Sequence, residues 1–365
     1  WQKMLTPHMG ALAASLAQKD EKVIFVVNEL LSRQRLSEGW EIAKLGKATL
    51  RIASNKKAVV RLASNAPKNS IHFCQGISNN GLVCEAQKII KKRKLTHWVM
   101  MERPDVLGFK GHIKKAYYKM LFWYWQKHIQ GVLAIGKGTN EWIANRGINK
   151  DKIYSFAYFL RELKLNKFIN LSKKNKKLSK FVFLFVGSLI ELKKIDLLIK
   201  SLSNLKLRKI ELWIVGDGPQ KKKLEFLGLK LLPNQIRWFG TLPMSNVPKI
   251  MAQSDCLVLP SRHDGWGAVT SEALMVGTPV ACSDSCGSSI VVEASSVGGI
   301  FLTKNQTSLS GLLKKQYKLG KIRLKQRIKI AKWAKCLNSK SGAKYLLSIL
   351  SNEIKDNIKE PWIKK

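Results

Sequence analysis

Acidic residues are scarce in this chain. Of its 365 residues only 24 are Asp or Glu, against 65 Lys or Arg, for a formal net charge of +41. A surface so unbalanced is drawn to anions, whether lipid headgroups, nucleotides or nucleic acid. Lys supplies most of the excess and Ile and Asn are also abundant, a bias that an AT-rich genome would produce too. Cysteine is sparse as well. The six cysteines form no C-x-x-C pair and no paired metal-ligand spacing, which argues against a disulfide scaffold or a Cys-based zinc site. Cys74, Cys256 and Cys282 lie in apolar runs and read as reduced core residues; Cys282 and Cys286 are four apart with no His or Cys partner nearby. No Asp-x-Asp pair offers a metal site, and no nucleic-acid recognition motif accompanies the lysines, which are spread along the chain. No apolar run reaches the ~18 residues that a spanning helix needs, and the first residues lack a signal peptide's basic-then-apolar order. A cytosolic protein is the expectation. The chain opens at Trp1 rather than Met, so a shortened first strand is expected.

What is present is length and apolar content enough for two α/β domains: 365 residues, 45% hydrophobic. The informative stretch runs from Cys256 to Asp284, CLVLPSRHDGWGAVTSEALMVGTPVACSD. Cys256 to Leu259 reads as a buried parallel strand closed by Pro260, and Ser261–Gly267 as a polar loop. From Ala268 the apolar positions Val269, Ala273, Leu274 and Val276 follow a helical pattern, until Gly277-Thr278-Pro279 stops it and a strand begins at Val280. Gly265 and Gly267 precede the helix, so backbone N–H groups of its first turn can approach an anion without obstruction. Asp264 lies before that turn and Glu272 projects from the second.

With Pro260-Ser261, Asp264-Gly265-Trp266-Gly267, Glu272-Ala273-Leu274 and Gly277-Thr278-Pro279-Val280 in register, the stretch resembles the signature of retaining glycosyltransferases of the GT-B fold. It is most similar to family 4, which includes lipopolysaccharide and capsule sugar transferases. That family usually has Glu at the first acidic position, followed by x-Phe-Gly; here Asp264 is followed by Gly265-Trp266-Gly267. Either acid taken alone is an ordinary solvated charge on a βαβ unit.

In the amino-terminal half, Trp1–Leu5 reads as the tail of a first strand, Thr6–Gly10 as the loop after it and Ala11–Gln18 as a helix. His8 and Gly10 are candidates for the cleft by position, although a lone His near a helix start is also a common cap or surface residue. Strands are expected at Val23–Val27, from Ile71 and from His97, alternating with helices such as Gly81–Lys92, in a doubly wound parallel sheet. Glu102 follows the last of these strands and is the acidic candidate of this half, with an ion pair to Arg103 or a lysine as the alternative. Phe109–Gln130 interleaves Lys110, Lys114, Lys115, Lys119 and Lys127 with Tyr117, Tyr118, Phe122, Trp123, Tyr124 and Trp125. Such a helix suits a membrane surface, because ring edges tolerate the headgroup layer while ammonium groups attract anionic lipid. It equally suits an amphipathic helix packing its rings on the sheet. Gly131–Gly136 is a further strand with a helix at Lys137–Arg146 after it. Lys152–Phe159 completes the domain.

The second half opens with the apolar strand Phe181–Val186, then Gly187-Ser188-Leu189 and a helix marked by Ile195, Leu197, Leu198 and Leu202. The resemblance implies Gly-Arg-Leu here, with a Lys shortly after, both binding the donor diphosphate. Lys193 stands at the Lys position, but Ser188 replaces the Arg. Gly216-Asp217-Gly218-Pro219 matches the family's Gly-x-Gly-Pro after the strand Ile210–Val215, and the backbone near Leu242 is implied to contact the base. Gly298–Leu302 reads as the last strand, and Lys314–Lys335 and Ser341–Ile354 as helices.

The resemblance thus implies an α/β fold of two Rossmann-like parallel-sheet domains: residues 1–162 for the acceptor, a linker at 163–180, 181–325 for the donor, and helices in 326–365 of which the last crosses back. It implies transfer of a sugar from a nucleotide diphosphate, UDP first, to an acceptor hydroxyl with configuration kept, without metal or cofactor. Lys193 and the N–H groups of Gly267, Ala268 and Val269 would hold the diphosphate, Glu272 the ribose and Asp264 the sugar hydroxyls. Gly187, Ser188, Gly216 and Gly218 would complete the donor site. The basic surface and aromatic helix add an expected partner, an anionic membrane at its inner face, with a glycan or lipid-linked acceptor. A nucleic-acid-binding protein and an inactive scaffold of the same fold remain as alternatives.

Overall fold

The structure, a computed structural model, describes residues 1–19, 21–106, 108–163, 166, 168, 179–351 and 358–363. It divides into two compact units. The first takes Trp1–Ser32, Ile42–Arg161 and Ser339–Pro361; the second takes Arg33–Glu41, Glu162–Asn338 and Trp362–Lys365. Most of the stretch expected as a linker, 163–180, lies outside the described residues. Among the described residues, no helix is long and apolar enough to cross a membrane.

The first unit has parallel strands β1 (Gln2–Met4), β2 (Ile24–Glu29) and β3 (Thr49–Ile52), then β4 (Ile71–Gln75), β5 (Thr96–Glu102), β6 (Gly131–Ile135) and β7 (Ile153–Phe156). Gln75 N donates to the Trp1 carbonyl at 2.9 Å, bringing β4 beside β1, so the order across the unit reads β3-β2-β1-β4-β5-β6-β7. Every residue of β6 is buried, as expected for a parallel strand covered on both faces. Its first residue must be Gly, since a Cβ at Gly131 would lie 2.2 Å from the Trp98 ring. The expectation of a loop through Gly10 is corrected: the helix starts at Pro7 and runs to Ala17. A proline at the first helical position loses no hydrogen bond and already has a helical φ. The helix Ser339–Leu350 packs on this first helix, with Ser15 Oγ donating to Ser339 Oγ at 2.8 Å. Residues 352–354 of the helix expected there lie outside the described residues. All six cysteines are free thiols, with Cys74, Cys256 and Cys282 buried as expected.

The aromatic helix spans Phe109–Trp125, with a 3₁₀ turn at Gln126–His128, and it divides its rings between two environments. Phe122 and Trp125 are buried in a cluster with Val99, Val132 and Trp142. Ile113, Tyr117, Met120, Trp123 and Tyr124 are exposed, Trp123 at 71%.

The second unit is one six-stranded sheet with every pairing parallel. Its strands are β8 (Phe181–Val186), β9 (Ile210–Val215), β10 (Ile236–Gly240), β11 (Cys256–Leu259), β12 (Val280–Ser283) and β13 (Gly298–Phe301), in the order β10-β9-β8-β11-β12-β13. All six residues of β8 are buried, and each large apolar side chain sequestered this way contributes about 2 kcal/mol. The single helix expected over Lys314–Lys335 is corrected to two, Gln306–Leu319 and Leu324–Trp333. Gly320, at φ 73° and ψ −174°, takes a backbone conformation that L side chains rarely adopt and ends the first of them. The break lets Arg327 point inward. Buried, it donates from Nη1 to Thr278 Oγ1 at 2.8 Å and from Nη2 to the Ser254 carbonyl. The Gly277-Thr278-Pro279 turn is thereby clamped.

Candidate functional site

In the second unit the direction of strand addition reverses between β8 and β11, which are neighbours. Loops leaving the carboxyl ends of two such strands diverge and open a crevice, the place where sheets of this kind hold ligands. The loop after β8 carries Gly187, Ser188 and Lys193; the loop after β11 carries Asp264 to Gly267. Arg262 N donates to the Leu192 carbonyl at 2.8 Å and ties the two loops together. Lys193 Nζ meets Asp264 Oδ2 at 2.5 Å, with both side chains mostly buried. The resemblance implies phosphate for Lys193 and a sugar for Asp264. The structure makes each the other's nearest opposite charge, so an anion arriving at Lys193 must share it with Asp264.

The helix Ala268–Met275 begins beside this pair. Gly267 stands before it at φ 81° and no side chain caps it. The first N–H groups of a helix have no acceptor within it, and here those of Ala268 and Val269 open on the half-buried loop. A Cβ at Gly267 would come within 2.8 Å of Leu259 Cδ2. The loop is held from behind: Ser288 N donates to the Trp266 carbonyl at 2.8 Å, and Gly287 N to the Asp264 carbonyl at 2.9 Å. One turn into the helix, Glu272 is half-buried and has no hydrogen-bond or ion-pair partner among the described residues. Desolvation by the surrounding protein pushes its carboxyl up to about 7. A carboxyl held without a donor in such surroundings either keeps its proton or takes hydrogen bonds from an arriving ligand.

Gly216 and Gly218 are required by backbone packing. A Cβ at Gly216, φ 132°, would lie 2.0 Å from the Gly187 carbonyl oxygen, and one at Gly218 2.7 Å from that of Leu189. Two hydrogen bonds draw these loops together, Leu189 N to the Asp217 carbonyl and Gln220 N to the Leu189 carbonyl, each at 2.9 Å. The loop Thr241–Ser245 after β10 is pinned by a segment from early in the chain: Met244 N donates to the Gly39 carbonyl at 2.9 Å, and Ser245 N to Glu41 Oε1 at 3.1 Å. Leu242 is half-buried there. Among the described residues, no group of three or more His, Cys, Asp or Glu is placed to hold a metal ion.

Residues 166–333, which contain all of Lys193, Asp264 and Glu272, match the family model for Glycosyl transferases group 1. A 2-deoxystreptamine N-acetyl-D-glucosaminyltransferase of Streptomyces fradiae is 41% identical over 69 residues, 19% of this chain and 16% of that protein. The chain thus accounts for a small part of that relative's length. Among solved structures, Anabaena Alr3699/HepE in complex with UDP aligns over 95% of this chain and 96% of its own, at 14% identity and a TM-score of 0.72. The lipopolysaccharide outer core galactosyltransferase WaaB aligns over 94% and 95%, at 18% identity and a TM-score of 0.70.

The fold is GT-B. The family match supports a glycosyltransferase built on it.

In the first unit of this GT-B chain the three remaining candidates are less distinctive. His8 sits in the first helical turn with its ring stacked on Tyr158, centroids 3.9 Å apart. Gly10 is buried, and a Cβ there would lie 2.5 Å from Ala43 Cβ. Close packing therefore accounts for it, and its expected place in a cleft loop is corrected. Glu102 is the last residue of β5, half-buried beside Ile135.

Trp362 belongs to no motif that the sequence offers. It is 2% exposed and its ring lies 6.5 Å from that of Trp266, itself 1% exposed, centroid to centroid. Trp266 Nε1 in turn donates to Ser271 Oγ at 3.2 Å, one residue before Glu272. Only the apolar character of Trp362 near the end of a Lys-rich tail hinted that it is covered.

Proposed function

We propose that the protein is a retaining glycosyltransferase that moves a sugar from a nucleotide diphosphate donor, UDP first, to an acceptor hydroxyl. The observation that carries this reading is the half-buried, unpartnered Glu272 one turn behind an uncapped helix N-terminus, with the Lys193–Asp264 pair in the loops before that helix. In the proposed complex Glu272 accepts the ribose hydroxyls. The diphosphate lies on Lys193 and the N–H groups of Gly267, Ala268 and Val269, with Gly187, Ser188, Gly216, Gly218 and the Leu242 backbone around the nucleotide. Asp264, released in part from Lys193, takes the sugar hydroxyls.

In the reaction, the bond from the sugar C1 to the diphosphate oxygen breaks and its electron pair goes to that oxygen. The acceptor oxygen bonds to C1 on the same face, and its proton passes to the departing phosphate oxygen. Configuration at C1 is kept, and no dedicated base is needed. Charge on the leaving group is met by Lys193 and the helix N–H groups, so the scheme uses no metal.

The acceptor is a lipid-linked or surface glycan, reached by peripheral attachment to the inner, cytoplasmic face of a membrane. The exposed row Ile113, Tyr117, Met120, Trp123 and Tyr124, flanked by Lys114, Lys119 and Lys127, supports that attachment. So does the likeness to a lipopolysaccharide galactosyltransferase. A soluble acceptor is the second reading, favoured by the short stretch shared with a transferase named for 2-deoxystreptamine.

A thermal-shift screen of UDP-, GDP- and ADP-sugars against wild type and Glu272→Ala tests the donor assignment. One donor is expected to raise the wild-type melting temperature and to leave the variant unmoved. Equal shifts in both proteins, or none in either, would sink it.

A further inference from the structure

The helix Lys221–Leu231 of the second unit turns Leu224 and Gly228 inward, where a Cβ at Gly228 would lie 2.7 Å from Ile236 Cδ1. Its outward positions are Lys222, Lys223, Phe226, Leu229 and Lys230. At helical spacing these fall within an arc of about 120°. Phe226 and Leu229 are 72% and 74% exposed, side by side at i and i+3. None of Lys222, Lys223 and Lys230 has an acidic partner among the described residues, whereas Lys221, at the stripe's edge, pairs with Asp217 at 3.1 Å.

The composition of this stripe discriminates among anionic partners. A nucleic-acid duplex would be met by the lysines alone, and an exposed Phe-Leu pair between them would add nothing to phosphate contact. The headgroup layer of a bilayer rewards both halves, because apolar side chains enter the acyl boundary while ammonium groups sit at the phosphates.

We propose that the helix Lys221–Leu231 is a second lipid-docking surface, distinct from the aromatic helix of the first unit, and that it lays Phe226 and Leu229 into an anionic bilayer with Lys222, Lys223 and Lys230 on the lipid phosphates. The inference deepens the membrane reading above and does not depend on the donor chemistry. Single interfacial stripes attach weakly and reversibly, and stable attachment takes more than one such signal. A second stripe on the donor-site unit supplies one.

Flotation of the full chain with vesicles tests it, using phosphatidylcholine alone and phosphatidylcholine mixed equally with phosphatidylglycerol. The wild type is expected to float with the mixed vesicles and not with the neutral ones. F226S/L229S and, separately, K222E/K223E/K230E are each expected to bind about tenfold or more weakly, with melting temperature and nucleotide shift unchanged because these side chains are exposed. Y117S/W123S, on the first unit, gives the other stripe's share. Undiminished flotation of F226S/L229S would overturn the proposal, as would failure of the wild type to float. Two other results would also overturn it: short duplex DNA whose binding falls with the lysine changes and not with F226S/L229S, or a dimer in sedimentation that F226S/L229S dissociates.

Discussion

At the carboxyl edge of the first unit's sheet the amide side chains are tied to one another and to the backbone, with single atoms such as Asn28 Oδ1 and Asn80 Oδ1 left without a partner among the described residues. Asn80 Nδ2 donates to the Gln75 carbonyl and to Gln87 Oε1, each at 3.0 Å; Gln87 Nε2 donates to the Gly76 carbonyl at 3.0 Å and lies 3.3 Å from His97 Nε2. At the corresponding edge of the second unit the glycines are forced by backbone contacts, the helix N-terminus is uncapped and Glu272 has no partner among the described residues. Two sheets of the same winding thus differ in what they leave undone. A polar group whose partners are internal fixes a fold; one held without them in a desolvated place marks where a ligand's groups are wanted.

That contrast can be broken at several points. Trp362→Ala empties a buried site behind the motif loop and is expected to cost about 3–5 kcal/mol, measured by denaturant unfolding, with Trp362→Phe recovering most of it. A cost below about 1 kcal/mol would detach the tail from the site loop. Gly216→Ala combines a positive φ with a 2.0 Å approach to the Gly187 carbonyl oxygen, and about 3 kcal/mol is expected. Gly76→Ala, at the end of β4, meets nothing nearer than 3.7 Å at φ 67° and should cost only about 1 kcal/mol. Equal costs would show that the two edges are built alike.

The pH dependence sharpens the same comparison. An unfolded Glu ionises near its ordinary value of 4.5, while burial holds folded Glu272 protonated up to about 7. Between these values the folded state binds the extra proton, so stability falls as pH rises from 4.5 to about 7 and is level above. Glu272→Gln should therefore match wild type at low pH and exceed it above neutrality by about 2 kcal/mol, allowing for residual solvent contact. Thermal melts across that range check it, and a difference that does not change with pH would deny that Glu272 is desolvated. Ribose hydroxyls donating to the carboxylate would lower its pKa. Nucleotide affinity should then rise several-fold between pH 6 and 8 by titration calorimetry, the smallest of these effects.

Much of the second unit was legible as sequence. β8 reads as six apolar residues, and the helical pattern that starts at Ala268 is where the helix begins. The loops were less legible because their geometry depends on distant chain. Pro7 already had the φ of a first helical residue, yet Thr6–Gly10 resembled a cleft loop. Gly320 does not read as a break because the apolar rhythm continues on either side of it.

Local pattern determined the alternation of strands and helices, the two-domain content and the acid-glycine string around Asp264, since each depends on residues a few positions apart. Only the tertiary structure decided that Lys193 meets Asp264 across 71 residues, that Gly39 steadies the loop of Leu242, and that Trp362 backs Trp266. Such contacts carry no periodic signal. They arise when the order β10-β9-β8-β11 brings separate loops to one edge, and their energies come from burial and charge at distances no spacing along the chain encodes.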